Sequence, residues 1–165
     1  DKQREYRSLS HGSFSIIMMD IDHFKEVNDT YGHEGGDRAI ERLVSEVQKV
    51  LSEDDLFGRY GGEEFVVSLA NAGFEKSLEI ARLIHSQVTS TLVISKKATF
   101  FIKISLGVVT LGGEGNFPIP SSTDSIVALA DEALYRAKKA GRNTVSYVHP
   151  TLGERFDSQT EIESL

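Results

Sequence analysis

From Ser15 to Met19 the chain runs apolar and ends in Asp20, a pattern that predicts a strand buried on both faces with acids at its end. Ile40, Leu43, Val44, Val47 and Leu51 recur at helical spacing, which predicts an amphipathic helix over Gly36 to Leu51 with Asp37 in its first turn. Phe74, Leu78, Ala81, Ile84 and Val88 predict a second helix. Ile126, Leu129, Ala130, Ala133, Leu134 and Ala137 predict a third, capped near Ser122 or Thr123 and ended by Gly141.

The segments between these helices are short and β-prone. Leu56 to Tyr60 and Glu64 to Leu69 flank Gly61-Gly62, a hairpin signal. Phe100, Ile102, Ile104 and Leu106 alternate as in a half-buried strand, and Thr144 to Val148 supplies a last one. Helices interleaved with strands imply a mixed sheet covered by helices, an α/β (α+β) fold. Gly112 to Ser122 and the polar stretch after Pro150 read as exposed.

Composition narrows the function classes. The 165 residues suit one domain, and the absence of cysteine removes disulfides, thiolate metal sites and cysteine nucleophiles. Any metal here takes oxygen or imidazole ligands. With 25 acidic against 18 basic residues, the net charge of -7 argues against nucleic acid as a partner. The apolar runs are too short to span a membrane, which fits a cytoplasmic domain. The chain opens at Asp1 and reads as a fragment, with an upstream sensor or regulatory domain expected.

The chemistry concentrates in two acidic pairs. Asp20 and Asp22 follow the first strand, and Glu63 and Glu64 follow Gly61-Gly62, so neighbouring strands would bring both pairs to one end of the sheet. Such carboxylates suit Mg2+, and two ions about 3.5–4 Å apart can stabilise both oxygens of a phosphoryl transfer. Glycines beside the acids let backbone approach a phosphate or ribose.

Arg59-Tyr60-Gly61-Gly62-Glu63-Glu64-Phe65 resembles the signature of the GGDEF domain family, the diguanylate cyclases, in its GGEEF form. Asp20-Ile21-Asp22-His23-Phe24-Lys25 with Asn28-Asp29, Gly32-His33 and Gly36-Asp37 resembles a second family block. Asp131-Glu132-Ala133-Leu134-Tyr135 with Ala137-Lys138 and Gly141-Arg142-Asn143 resembles a third. The resemblance implies a five-stranded mixed central sheet surrounded by helices, akin to the palm of nucleotidyl cyclases. It implies condensation of two GTP into cyclic di-GMP with release of two pyrophosphates across a homodimer. It divides the chain into a remnant N-terminal helix or linker (1–12), the catalytic domain (13–149) and a flexible polar tail (150–165).

Carried over by position, Asp20, Glu63 and Glu64 resemble the catalytic acids. Asp20, Glu63, Glu64 and the Ile21 carbonyl resemble the ligands of two Mg2+ (or Mn2+) ions. Either glutamate, or neither, is the base for the 3′-hydroxyl. Asn28 and Asp37 resemble the guanine readers; a carboxylate can accept from guanine N1–H and its 2-amino group, worth roughly 3 kcal/mol or more against ATP. Lys138 and Arg142 are expected on the triphosphate from one side, with Lys25 and the N–H groups of residues 22–25, His23 included, on the other. Phe24 packs under the site, Gly61 and Gly62 line it, and His33 is assigned support.

Two departures stand out. The family's inhibitory product site is built on an Arg-x-x-Asp motif; here Ser52-Glu53-Asp54-Asp55 keeps the aspartate and puts serine in the arginine's place, so weak or absent product inhibition is expected. The family's usual opening segment before the first strand is also absent. Two other readings use the same residues: a receptor module for GTP or cyclic di-GMP, and another cyclase on the same palm.

Overall fold

The sheet is assembled around β1 (Phe14–Ile21), which pairs antiparallel with β3 (Glu64–Leu69) on one side and β6 (Ile104–Leu111) on the other. The computed structural model describes residues 12–150 and the backbone of 153–156. β2 (Leu56–Arg59) extends the sheet beyond β3, and β7 (Val145–His149) runs parallel to β6. These five strands, in the order β2-β3-β1-β6-β7, are the mixed sheet expected. Helices α1 (Phe24–Val50), α2 (Phe74–Thr89) and α3 (Thr123–Lys139) cover it, and β4 (Val93–Ile94) with β5 (Thr99–Phe100) forms a separate hairpin.

The structure departs from expectation in three places. Within the stretch expected as flexible tail, β8 (Gly153–Phe156) pairs antiparallel with β7 and makes a sixth strand. The alternating stretch from Phe100 is not one strand: Thr99–Phe100 belongs to the small hairpin, and β6 begins at Ile104. All eight residues of β6 are buried, because it lies between β1 and β7 with helices on both faces. Finally, α1 begins at Phe24 and is interrupted at Gly32 (φ 77°, ψ 171°), so Asp37 lies beyond the first turn of the segment that follows. Residues 1–11, where the remnant helix or linker was expected, and tail residues 151–152 and 157–165 lie outside the described residues.

Alternation along β1 divides the core. Ile17, Met19 and Ile21 face α1 and α2, packing with Leu43, Val47, Leu78, Ala81 and Ile84. Ile16 and Met18 face α3 and pack with Val109, Ala130 and Leu134. Each such side chain taken fully from water contributes about 1.5–3 kcal/mol. Asp20, next in the even series, therefore falls on the α3 face.

Gly107 decides how near α3 comes. A Cβ there would run into the backbone of Ala133 and Leu134, so the helix rests directly on β6. The Ser146 hydroxyl ties down the same turn by donating to the Ala133 carbonyl. Gly107 lies opposite Met18, and Ser105 lies opposite Asp20. One helical turn beyond Leu134 is Lys138, which the contact thus delivers over Asp20.

Gly107→Ala is accordingly expected to cost about 3 kcal/mol or more, since backbone must move to admit the methyl group. Urea unfolding measures this, and a loss below about 1 kcal/mol would show that α3 is not seated on the strand.

Candidate functional site

The register of β1 on β3 sets Asp20 directly opposite Glu64, and a cross-strand pair shares one face with Cβ atoms about 4.5–5.5 Å apart. Glu63, the residue before β3, is tied in through its carbonyl, which accepts from Ile21 N–H at 3.2 Å. Tyr60 and Gly61 N–H both donate to the Glu64 carbonyl, at 2.8 and 3.1 Å, closing the Gly61-Gly62 turn. Asp20, Ile21, Glu63 and Glu64 thus meet at one end of the sheet, with the two glycines beside them.

Asp20 is only 7% exposed, and Lys138 Nζ donates to its Oδ2 at 3.0 Å. Burial pushes the Asp20 carboxyl up; the Lys138 hydrogen bond and charge hold it partly back, and Glu63 and Glu64 add to the rise, leaving it above its ordinary 3.8. The cluster is short of positive charge, and an ammonium group supplies some of it.

This oxygen-only donor set fits a hard divalent cation. Among the described residues no three acidic or imidazole side chains close into a ready cage. Mg2+ does not require one, because it retains waters and takes one or two carboxylates together with substrate phosphates.

Asp22 is placed differently from its neighbour. It is 5% exposed, and its oxygens are taken by the Ser105 hydroxyl at 2.6 Å and the Asn143 N–H at 2.8 Å. Its own N–H donates to the Lys103 carbonyl at 2.9 Å, which removes it from the N–H set expected to face a phosphate. Asn143 adopts a left-handed conformation (φ 49°), and His85 Nε2–H donates to its side-chain oxygen at 3.0 Å. Asp22 therefore locks β1, β6 and the loop after α3 together. Ser105 and His85 carried no sequence signal for this, being remote along the chain from Asp22.

Beyond Asp22 the chain turns through His23 (φ 53°) into α1. His23, whose Nδ1 lies 3.3 Å from Glu26 Oε1, and Lys25 are exposed, as are His33 and Asp37. Phe24 packs half-buried against the core. The break at Gly32 folds the first segment of α1 back on the second. A Cβ on Gly36 would overlap Asn28 Oδ1 and lie 3.2 Å from the Phe24 ring. Asn28 and Phe24 are thus gathered over Gly36, the residue before Asp37. Gly36, read as the start of a helix, is instead inside one, where the missing side chain admits Asn28. Arg142, at φ 65°, is exposed just past α3.

At the far end of β3, Asp55 Oδ2 accepts from the Ser52 N–H at 2.9 Å and hydroxyl at 2.6 Å, and Oδ1 accepts from Ala70 N–H at 3.2 Å. Burial pushes this carboxyl up, but the three hydrogen bonds outweigh it and hold it below 3.8. One oxygen closes the Ser52–Asp55 turn and the other ties that turn to the end of β3.

The Gly36 contact is open to a double-mutant test. Gly36→Ala is expected to lose about 1–3 kcal/mol, and Asn28→Ala in the same chain to restore most of it by removing the overlapping atom. Strictly additive losses in urea unfolding would show that the two residues do not touch.

Residues 2–144 match the family model described as "Diguanylate cyclase, GGDEF domain". Diguanylate cyclase A of Treponema denticola is 38% identical over 134 residues, covering 81% of this chain and 35% of that protein. The probable diguanylate cyclase DgcC of Escherichia coli K12 is 38% identical over 129 residues, covering 78% and 33%. The chain therefore spans about a third of the length of these curated relatives. Among solved structures, the active GGEEF domain of a diguanylate cyclase from Vibrio cholerae superposes with a TM-score of 0.71 at 31% identity, covering 86% of this chain and 85% of that one. The GGDEF domain of DgcB from Caulobacter crescentus, solved in complex with c-di-GMP, gives 0.75 at 28% identity, covering 89% and 84%. With the acidic turn in register with Asp20 and a family match over nearly all the described residues, the chain belongs to the GGDEF domain family, the diguanylate cyclases.

Proposed function

We propose that this domain condenses two GTP molecules into cyclic di-GMP and two pyrophosphates. Two copies face each other antiparallel, and each 3′-hydroxyl attacks the α-phosphate of the nucleotide on the other. The observation that carries the reading is the meeting of Asp20, Glu63 and Glu64 at one end of the sheet, where the Lys138 ammonium bonds Asp20. An acid cluster whose buried member, Asp20, already draws a cation is suited to receive metal with a polyanionic substrate.

Asp20, Glu63, Glu64 and the Ile21 carbonyl would hold Mg2+ or Mn2+, two ions per site. When bound, the metal supplies positive charge to the phosphate oxygens and favours ionisation of the attacking hydroxyl. Asn28 and Asp37 read the guanine edge, with Phe24 packed beneath. Lys138 and Arg142 at the end of α3 meet the triphosphate, opposite Lys25 and the N–H groups of His23, Phe24 and Lys25 at the start of α1. Gly61 and Gly62 leave room for the nucleotide. Either a Glu63 or Glu64 carboxylate takes the 3′-hydroxyl proton, or the metal lowers the hydroxyl pKa enough that no dedicated base is needed. Two sites are needed because each holds one of the two nucleotides joined, and orienting both replaces an encounter between two polyanions.

Incubation with Mg2+ and GTP, ATP or both is expected to yield cyclic di-GMP from GTP alone. Glu63→Ala and Glu64→Ala should each reduce the rate at least about 100-fold. Because both Asp55 oxygens already accept from Ser52 and the Ala70 N–H, and Ser52 offers no cationic clamp, added cyclic di-GMP should leave the initial rate unchanged. Binding of GTP without turnover would make the domain a receptor, and tight product binding abolished by Asp55→Ala would contradict the reading of that turn.

Activity per molecule is also expected to rise with protein concentration. A specific activity constant from micromolar down to nanomolar protein would argue against catalysis between two copies.

A further inference from the structure

Arg59, the last residue of β2, curls over the turn it precedes. Its Nε donates to the Gly61 carbonyl at 3.1 Å and the Gly62 carbonyl at 2.9 Å, and its Nη2 to Gly62 at 2.5 Å. The Glu63 carbonyl takes Ile21 N–H, and the Glu64 carbonyl takes those of Tyr60 and Gly61. Every carbonyl from Gly61 to Glu64 thus has a protein donor.

The N–H groups of the same turn are placed otherwise. All peptide bonds here are trans, so a carbonyl directed at Arg59 sends the N–H of its own peptide unit the opposite way. The units in question carry the N–H groups of Gly62 and Glu63. Neither has a protein acceptor among the described residues, and the space beside Gly62 is open, with no atom within 4 Å of where its Cβ would stand. Two consecutive amide donors facing outward, with a guanidinium behind their carbonyls, suit an anionic oxygen. A lysine would not reproduce this, since its ammonium lacks the rigid planar Nε and Nη2 pair that grips the Gly62 carbonyl while Nε also reaches that of Gly61.

We propose that Arg59 is a positioning residue: by holding both glycine carbonyls it presents the Gly62 and Glu63 N–H groups as a donor pair for a phosphate oxygen of the nucleotide, and it steadies Glu63 and Glu64 against Asp20. This rests on the nucleotide-binding reading above. Arg59 acts through the turn and touches no reacting atom.

The test compares the full chain with Arg59→Ala and Arg59→Lys, using a non-hydrolysable GTP analogue with Mg2+. Calorimetry is expected to show affinity about tenfold lower in both variants. The amide signals of Gly62 and Glu63 should shift on titration in the unmodified chain and stay put in both variants, with melting temperatures within about 5 °C of the parent. Parent-like affinity in Arg59→Lys would show that charge alone matters and overturn the proposal. So would analogue-induced amide shifts surviving in Arg59→Ala, or a melting temperature lowered by more than about 5 °C. No analogue binding by the unmodified chain would overturn the nucleotide reading and this role with it; unchanged binding in Arg59→Ala overturns this role alone.

Discussion

The pairing of Asp20 with Glu64 across β1 and β3 is the constraint on which the site depends. A slip of one residue in this register would send Asp20 to the face of α1 and α2 and put Met19 beneath α3. It is held by a large apolar stake. Ile17, Met19 and Ile21 on one face, and Ile16 and Met18 on the other, are buried against separate helices, so a one-residue slip would exchange the two sets and break the packing on both faces. The same side chains that drive folding thereby aim the carboxylates.

The electrostatics follow from that geometry. Burying Asp20 beside two glutamates opposes its ionisation, and α3 supplies a partial answer through Lys138. That answer requires the helix backbone to lie on Gly107, which converts a missing side chain in the sheet into the position of an ammonium group. Two residues along, on the same face, Asp22 meets a different fate because hydroxyl and amide donors saturate it. One aspartate is left wanting a cation and the next becomes a structural tie, although their local sequences offer little to tell them apart.

The turn between β2 and β3 shows the same economy on a smaller scale. Its glycines leave the space beside Gly62 open, while Arg59 and the backbone settle every carbonyl from Gly61 to Glu64. At the other end of β3, Asp55 accepts from Ser52 with one oxygen and from the Ala70 N–H with the other, which ties the turn before β2 to the end of β3.

The sequence by itself determined the elements whose cause is local: the apolar run of β1, the helical spacing of α2 and α3, the glycine hairpin, and the acids at strand ends. Periodicity and turn chemistry act over a few residues, so they can be read without neighbours. It misplaced what depends on distant packing. Gly36 looked like a helix boundary, yet it lies within α1, where Asn28 folds back onto it. Phe100 to Leu106 looked half-buried, yet β6 is enclosed because α3 and β7 close over it. Only the tertiary structure separated Asp20 from Asp22, since Lys138 and Ser105, the partners that distinguish them, lie 118 and 83 residues away along the chain. Charge and hydrogen bonding act through space, and until the fold closes that space the sequence holds no record of which acid will be satisfied.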